Sequence, residues 1–409
     1  MYPAVFQLFL SAQTIPFSEE NSFSELIPGS HLEVFLMTVG PGDVIWERFS
    51  HNALVIRDDI TGTEIAYNWG IFDFNESDFI PRLLKGRMRY WMASYRPTDM
   101  IESYRRANRN VWIQKINLTP SQRLDLQDHL RKIDTEANRY YQYDYYRDNC
   151  STRIRDALDH ILSGQIRVAA EVIETENTYR WHTARLLEPV LLAYSGIQFV
   201  VGNRGDKPIS AWDEMFLPLL LQRYLEEIKV HTSQEEGLPL LGKAVQVVDA
   251  QRDPVPDSAP NMLIGFLLVG IILGSCFTFS GWMAGRGRSW AAWLLVLTGG
   301  GWSFVVGLLG SALMLSWLFT DHFFWGLNEN ALQANPMSLL LFAMLFLGII
   351  DKNRVWARRI AITVAVFAIA GLNLQILPGL DQVNGEILAL TVPAHLGLAL
   401  GVLMAWPSE

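Results

Sequence analysis

Two residues in this sequence have the makings of a nucleophile and its base. Cys150 stands in the segment YDYYRDNCSTRIRDAL, directly after Asn149, whose side chain can cap a helix running through CSTRIRDALDHILSG to Gly164. A cysteine in such a first turn lies among free backbone N–H groups at the positive end of the helix dipole, which favours its thiolate. Cys276, the only other cysteine, sits inside an apolar run, so a disulfide would have to join a polar segment to a hydrocarbon-like one. A cysteine nucleophile also needs a base that a third group holds in place. His51 opens a strand after the polar approach WERFSHN, whereas His129 and His160 lie on amphipathic helices and His31 starts a strand with no polar partner nearby. A hairpin that lays residues 63–69 beside His51 brings Asn68 or a neighbour opposite the ring, where a side-chain amide can fix the tautomer. Glu47 and Tyr67 compete with Asn68 for that third place.

The elements that must position these groups are legible as periodicity. Strands are predicted at 31–39, 51–57, 63–69, 87–95 and 110–117, and DDITG between the second and third has the composition of a hairpin turn. Thr119-Pro120 offers a cap and a first-turn proline for a helix through SQRLDLQDHLRKIDTEANRYY; further helices are expected near 178–194 and 212–230. Strands followed by helices make this an α+β domain.

Hydropathy then divides the chain near residue 260. Before that point stand 27 Lys plus Arg and 36 Asp plus Glu; after it there are six of each sign, so the formal charge of −9 belongs to the first part. An acidic domain without a Lys/Arg stripe cannot neutralise phosphates along a backbone, which excludes nucleic acid as a partner. Apolar runs at 262–284, 290–319, 337–350, 357–377 and 386–406 approach the length needed to cross a bilayer, the third being the shortest. All six bases of this half lie in two loops, Arg286 and Arg288 in one, and Lys352, Arg354, Arg358 and Arg359 in the other. The positive-inside bias makes both cytoplasmic, so residues 1–261 and the loops 320–336 and 378–385 face outward. Residues 1–15 are a candidate remnant of an export signal, with an apolar stretch and Ala12-Gln13 but no basic start. Residues 16–250 make up the extracytoplasmic domain. The proline-rich segment 251–261 is a semi-rigid linker, and 262–409 is an all-α membrane bundle of about five helices.

The blocks FSHNALVI, AYNWGIFDF, KGRMRYWM and YDYYRDNCSTRIRDAL, in that order, resemble the Lnb-type lipoprotein N-acyltransferases. The resemblance covers residues 31–160 and the layout of the rest. It implies a permuted papain-like, NlpC/P60-like domain with histidine before cysteine, anchored in the cytoplasmic membrane by a C-terminal bundle. It also implies that Cys150 takes an acyl chain from a membrane phospholipid as a thioester and passes it to the α-amino group of a lipoprotein's N-terminal cysteine, with His51 as base in both halves. No metal or cofactor is required, and no Cys/His cluster has zinc spacing. Tyr67, Arg153, Asn328 and Asn330 are then candidate substrate contacts. Arg153 and Arg155 can grip a phosphate headgroup or pair with Asp148 or Asp156, and the outer loop DHFFWGLNENALQANP carries His322, Glu329 and the two asparagines at the membrane face. A membrane-anchored thiol hydrolase acting on peptidoglycan, peptides or phospholipid would use the same pair, and a non-catalytic module would merely bury Cys150.

Overall fold

The structure is a computed structural model that describes residues 27–230, 237–350 and 354–407. The candidate signal segment 1–15 and Lys352 lie outside the described residues. Seven strands form one antiparallel sheet: β1 (Leu32–Val39), β2 (His51–Asp58), β3 (Thr63–Ile71), β4 (Arg89–Tyr95), β5 (Val111–Lys115), β6 (Tyr140–Gln142) and β7 (Val245–Val248), in the order β7-β5-β1-β2-β3-β4-β6. The β2–β3 hairpin closes at Asp58↔Thr63, where Asp58 Oδ1 accepts the Ile60 and Thr61 N–H groups and Gly62 takes φ +65°. Both faces of the sheet are covered. Leu36, Leu54, Ile56 and Tyr67 pack with helices α3 (Pro120–Ile133) and α4 (Cys150–Ile161) on one side. Val39, Ala53, Val55 and Ala66 meet Met100 of α2 (Pro97–Arg106) on the other. The preceding helix, α1 (Phe79–Lys85), meets Phe72, just past the end of β3, through the ring of Phe79.

Thr119 and Asn149 both make full capping boxes at the helix starts their sequences announce. The helix expected at 178–194 is two, α5 (Tyr179–Leu187) and α6 (Leu191–Val200), because Pro189 between them has no N–H to continue a ladder. The helix expected at 212–230 breaks in the same way: α7 (Pro218–Glu227) begins afresh with its proline in the first turn. The segment 251–261 is strapped to the domain instead of standing off as a spacer. Arg252 pairs with Asp43, Pro256 O accepts Arg185 Nη1 and Pro260 O accepts the Tyr194 hydroxyl.

Among the described residues five helices are long and apolar enough to cross a membrane: α8 (Leu263–Gly285), α9 (Ser289–Phe319), the segment Asn330–Ile350 that contains α10 (Met337–Ile350), α11 (Arg354–Leu374) and α12 (Gly385–Ala405). The third apolar run is short because its span is broken, a single turn at Asn330–Gln333 being separated from α10 by Asn335-Pro336. Glycines set the closest packing. A Cβ on Gly281 of α8 would collide with the Gly401 backbone of α12, and one on Gly274 with the carbonyl of Pro393.

Candidate functional site

Cys150 enters the site through its cap. Asn149 Oδ1 accepts the N–H groups of Ser151 and Thr152 at 2.8 and 2.9 Å, and its amide donates to the carbonyls of Tyr145 and Phe216 at 2.8 and 2.9 Å. Ser151, fully buried, donates to Met215 O at 2.8 Å and to Asn52 Oδ1 at 3.2 Å, while Asn52 Nδ2 reaches Thr38 at 2.9 Å. The first turn of α4 is thereby bolted to the end of β2, where His51 is the neighbouring residue.

His51 belongs to the opposite sheet face from Tyr67 and shares its side with Asn68. Pairing of Leu54 with Tyr67 makes Asn68 the diagonal rather than the direct neighbour of His51, and Asn68 Oδ1 lies 2.6 Å from His51 Nε2. An amide oxygen can only accept, so Nε2 carries the proton and Nδ1 is left as the basic nitrogen. Ser50, immediately before, sits at φ +69°, a strained setting for a residue with a side chain. A bulge in the β3–β4 ladder falls at Gly70, φ +98°, and a Cβ there would stand 3.8 Å from Cys150 Cβ and 3.9 Å from His51 Cε1. Cys150 and His51 therefore face one small gap beside Gly70, whose φ of +98° favours glycine there.

Burial governs the protonation of the pair. It pushes the Cys150 thiol up to about 11, against the pull of the backbone N–H groups of Asn52, Ser151 and Cys150 and the charge of Arg109. Burial likewise lowers His51 to about 4, opposed by the Asn68 hydrogen bond and assisted by Arg109. The thiolate expected from the helix start alone is thus not the resting form, because desolvation of the half-buried Cys150 outweighs dipole and amides. Arg109 is 4% exposed. Its Nε donates to Gly40 O at 2.9 Å, its Nη1 lies 3.3 Å from Glu47, and Nη2 has no hydrogen-bond partner among the described residues. Neither Arg109 nor Asn52 nor Gly70 stands out in the sequence; the clues available are an arginine just before a strand and a glycine inside one.

The other candidates are distributed as follows. Glu47 is paired with Arg109, and Tyr67 is packed in the core between the sheet and α4, on the far face from His51. Arg153 makes a two-pronged pair with Asp148 and lies over the Tyr141 ring, whereas Arg155 is buried on Trp212 and bonded to its carbonyl and to Asp156. Asn328 and Asn330 are taken up by the backbone at the end of α6. Asn328 Nδ2 donates to the carbonyls of Phe199 and Val200, and Asn330 Nδ2 to those of Gln198 and Phe199, so the two amides satisfy the open end of α6. With Gly202 N–H donating to Phe324 O at 2.7 Å, they join the polar domain to the bundle's 320–336 loop.

Residues 19–189 match the family model of the Lnb N-terminal periplasmic domain. No curated protein and no solved structure matches the chain. The matched stretch contains His51, Asn68, Gly70, Arg109 and Cys150, and the five spans follow it. The chain is a multi-pass membrane protein with a periplasmic domain.

Proposed function

From an Lnb-type periplasmic domain, residues 19–189, carried on five membrane-spanning helices, we propose a lipoprotein N-acyltransferase that works through a thioester on Cys150. The observation that carries this reading is the Cys150–His51–Asn68 arrangement around the Gly70 gap, in a domain held against the outer end of a lipid-embedded bundle. Cys150 Sγ attacks the ester carbonyl of a phospholipid while its proton passes to His51 Nδ1. The tetrahedral oxyanion is held by two backbone N–H groups, that of Cys150 at the start of α4 and that of Asn52 in β2. Collapse breaks the ester bond, His51 returns the proton to the departing lysophospholipid oxygen, and the acyl group remains on sulfur.

The α-amino group of a lipoprotein's terminal cysteine then attacks the thioester carbonyl and gives its proton to His51. The amide forms and the C–S bond breaks, and His51 reprotonates the sulfur. Asn68 keeps Nδ1 turned toward the reacting atoms through both halves. In this reading the domain is papain-like with histidine ahead of cysteine, and both substrates stay in the membrane while their reacting groups reach the gap. Five spans suit such lipid-tethered substrates better than a soluble peptide, for which one span would anchor a hydrolase.

The test is intact-mass analysis of the full chain after incubation with phospholipid vesicles. A hydroxylamine-sensitive adduct of one fatty acyl group on Cys150 is expected, absent from Cys150→Ala and His51→Ala. A lipopeptide with a free α-amino group should discharge it to an amide, and an N-blocked lipopeptide should not. Loss of the acyl group as free fatty acid at the same rate with or without the amine would replace the transferase by a phospholipase.

A further inference from the structure

Helix α1 and the turn Ile45–Phe49 carry an unusual amount of apolar surface outward. Trp46 is 57% exposed, Phe74 57%, Ile80 58% and Leu84 66%, and they lie on one side of the domain as an aromatic and aliphatic patch. Two facts say what covers it. The end of α1 is clamped to the outer end of the second span: Asp321 N–H donates to Lys85 O at 2.9 Å, His322 Nε2 lies 3.0 Å from Leu83 O, and Arg87 pairs with Asp321 at 2.6 Å. A Cβ on Gly86 would come within 2.9 Å of His322 N, so the two backbones meet closely. The end of α1 is therefore held two residues past Phe319, the last residue of that span, where hydrocarbon gives way to headgroups, with Lys85 and Arg87 flanking the contact.

The second fact is continuity with the reacting thiol. Phe79 of α1 lies 5.0 Å from Phe74, ring centre to ring centre, Phe74 4.7 Å from Phe72, Phe72 4.9 Å from Tyr90, and Tyr90 4.2 Å from Tyr143. Tyr90, Tyr143 and Cys150 pack against the same buried cluster. Trp46 leans over the outer part of this file, 5.7 Å from Phe74. A soluble surface has no reason to leave such a file open at its membrane end.

We infer that the patch of Trp46, Phe72, Phe74 and Phe79, with α1 dipped into the outer leaflet, is the binding track for a lipid acyl chain, which it guides from the bilayer to Cys150. This rests on the acyl-transfer reading for its purpose, not for its detection. The experiment uses the full chain with Cys150→Ala in phosphatidylethanolamine and phosphatidylglycerol vesicles containing a phosphatidylethanolamine with a diazirine at mid-chain. After irradiation, peptide mass spectrometry should find adducts in residues 44–49 and 72–84 as well as in the five spans, which sit in lipid and label in any case. Adducts confined to the spans would overturn the track even if wild-type chain forms its thioester; adducts on the patch without any thioester would keep the track and sink the transferase. In the active chain, Trp46→Ser with Phe74→Ser, both at exposed positions, should slow thioester formation from vesicle phospholipid about tenfold through lost apolar contact. An unchanged rate would count against the track.

Discussion

With its thiol pushed up to about 11 and its imidazole held down to about 4, the Cys150 and His51 pair rests neutral through the whole neutral range. The proposed reaction therefore depends on general-base removal of the thiol proton during attack, not on a standing thiolate. Alkylation of Cys150 by iodoacetamide, followed by mass spectrometry, should be slow at pH 7 and accelerate toward pH 11; half-maximal reactivity near pH 7 would contradict this. Acyl loading should fall only on acidification through about pH 4, where His51 gains the proton that disqualifies it as a base. Arg109 lowers both groups, so Arg109→Gln should move both transitions to higher pH, which a merely structural arginine would not do. Asn68→Ala releases the ring and should cost about 10²-fold in loading rate, with little change in thermal stability. Gly70→Ala combines a φ of +98° with a methyl aimed into the gap, and should lose about 1–2 kcal/mol of stability together with nearly all loading.

At the scale of elements, the site depends on how the first turn of α4 is fastened. Asn149 is 5% exposed and spends its oxygen on two helix N–H groups and its amide on two carbonyls. Asn149→Ala should destabilise by about 1–2 kcal/mol from the cap alone and displace Cys150 as well, read as a lower melting temperature with a larger fractional loss of loading. Behind this turn, Glu214 collects hydrogen bonds from His182 at 2.8 Å, Asn177 at 2.7 Å and Tyr224, joining α5 to α7. Burial alone would raise the Glu214 carboxyl, but these donors pull it down to about 2. A depressed carboxyl adds stability that is fully present above its unfolded value near 4.5 and is lost as pH falls toward 2. Thermal unfolding should accordingly weaken across that window in wild type and less steeply in Glu214→Gln.

On the scale of the whole molecule, orientation decides whether the proposed chemistry has its substrates. With Cys150 and Cys276 replaced by alanine, Val383→Cys in the 378–385 loop should react with an impermeant maleimide from outside in intact spheroplasts. Ser289→Cys, beside Arg286 and Arg288, should react only after permeabilisation. Reversed labelling would put the Gly70 gap on the wrong side for lipoproteins. The docking of the domain onto the bundle is equally global: Asn328→Ala with Asn330→Ala uncovers the carbonyls at the end of α6, and each uncovered group costs about 1–3 kcal/mol. Loading should drop in that variant although both amides are bonded to the end of α6.

What the sequence determined by itself is what local chemistry and periodicity can encode. The five sheet strands expected from alternation occur within two residues of their observed ends, because side-chain period dictates which face is buried. The Asn149 cap announced the start of α4, and the apolar runs announced the spans, since each is a property of consecutive residues. The hairpin count brought Asn68 close to His51 but could not tell a direct from a diagonal neighbour. Prolines at 189 and 218 were visible and should have divided two expected helices. Tertiary structure alone decided the rest: that Gly70 borders Cys150 and His51, that the charge of Arg109 acts on both of them, and that Asn328 and Asn330 serve the end of α6. It also decided that burial overrides the dipole at Cys150. Each of these depends on groups far apart in the chain, and desolvation in particular belongs to the assembled surroundings of a side chain, which no stretch of neighbouring residues contains.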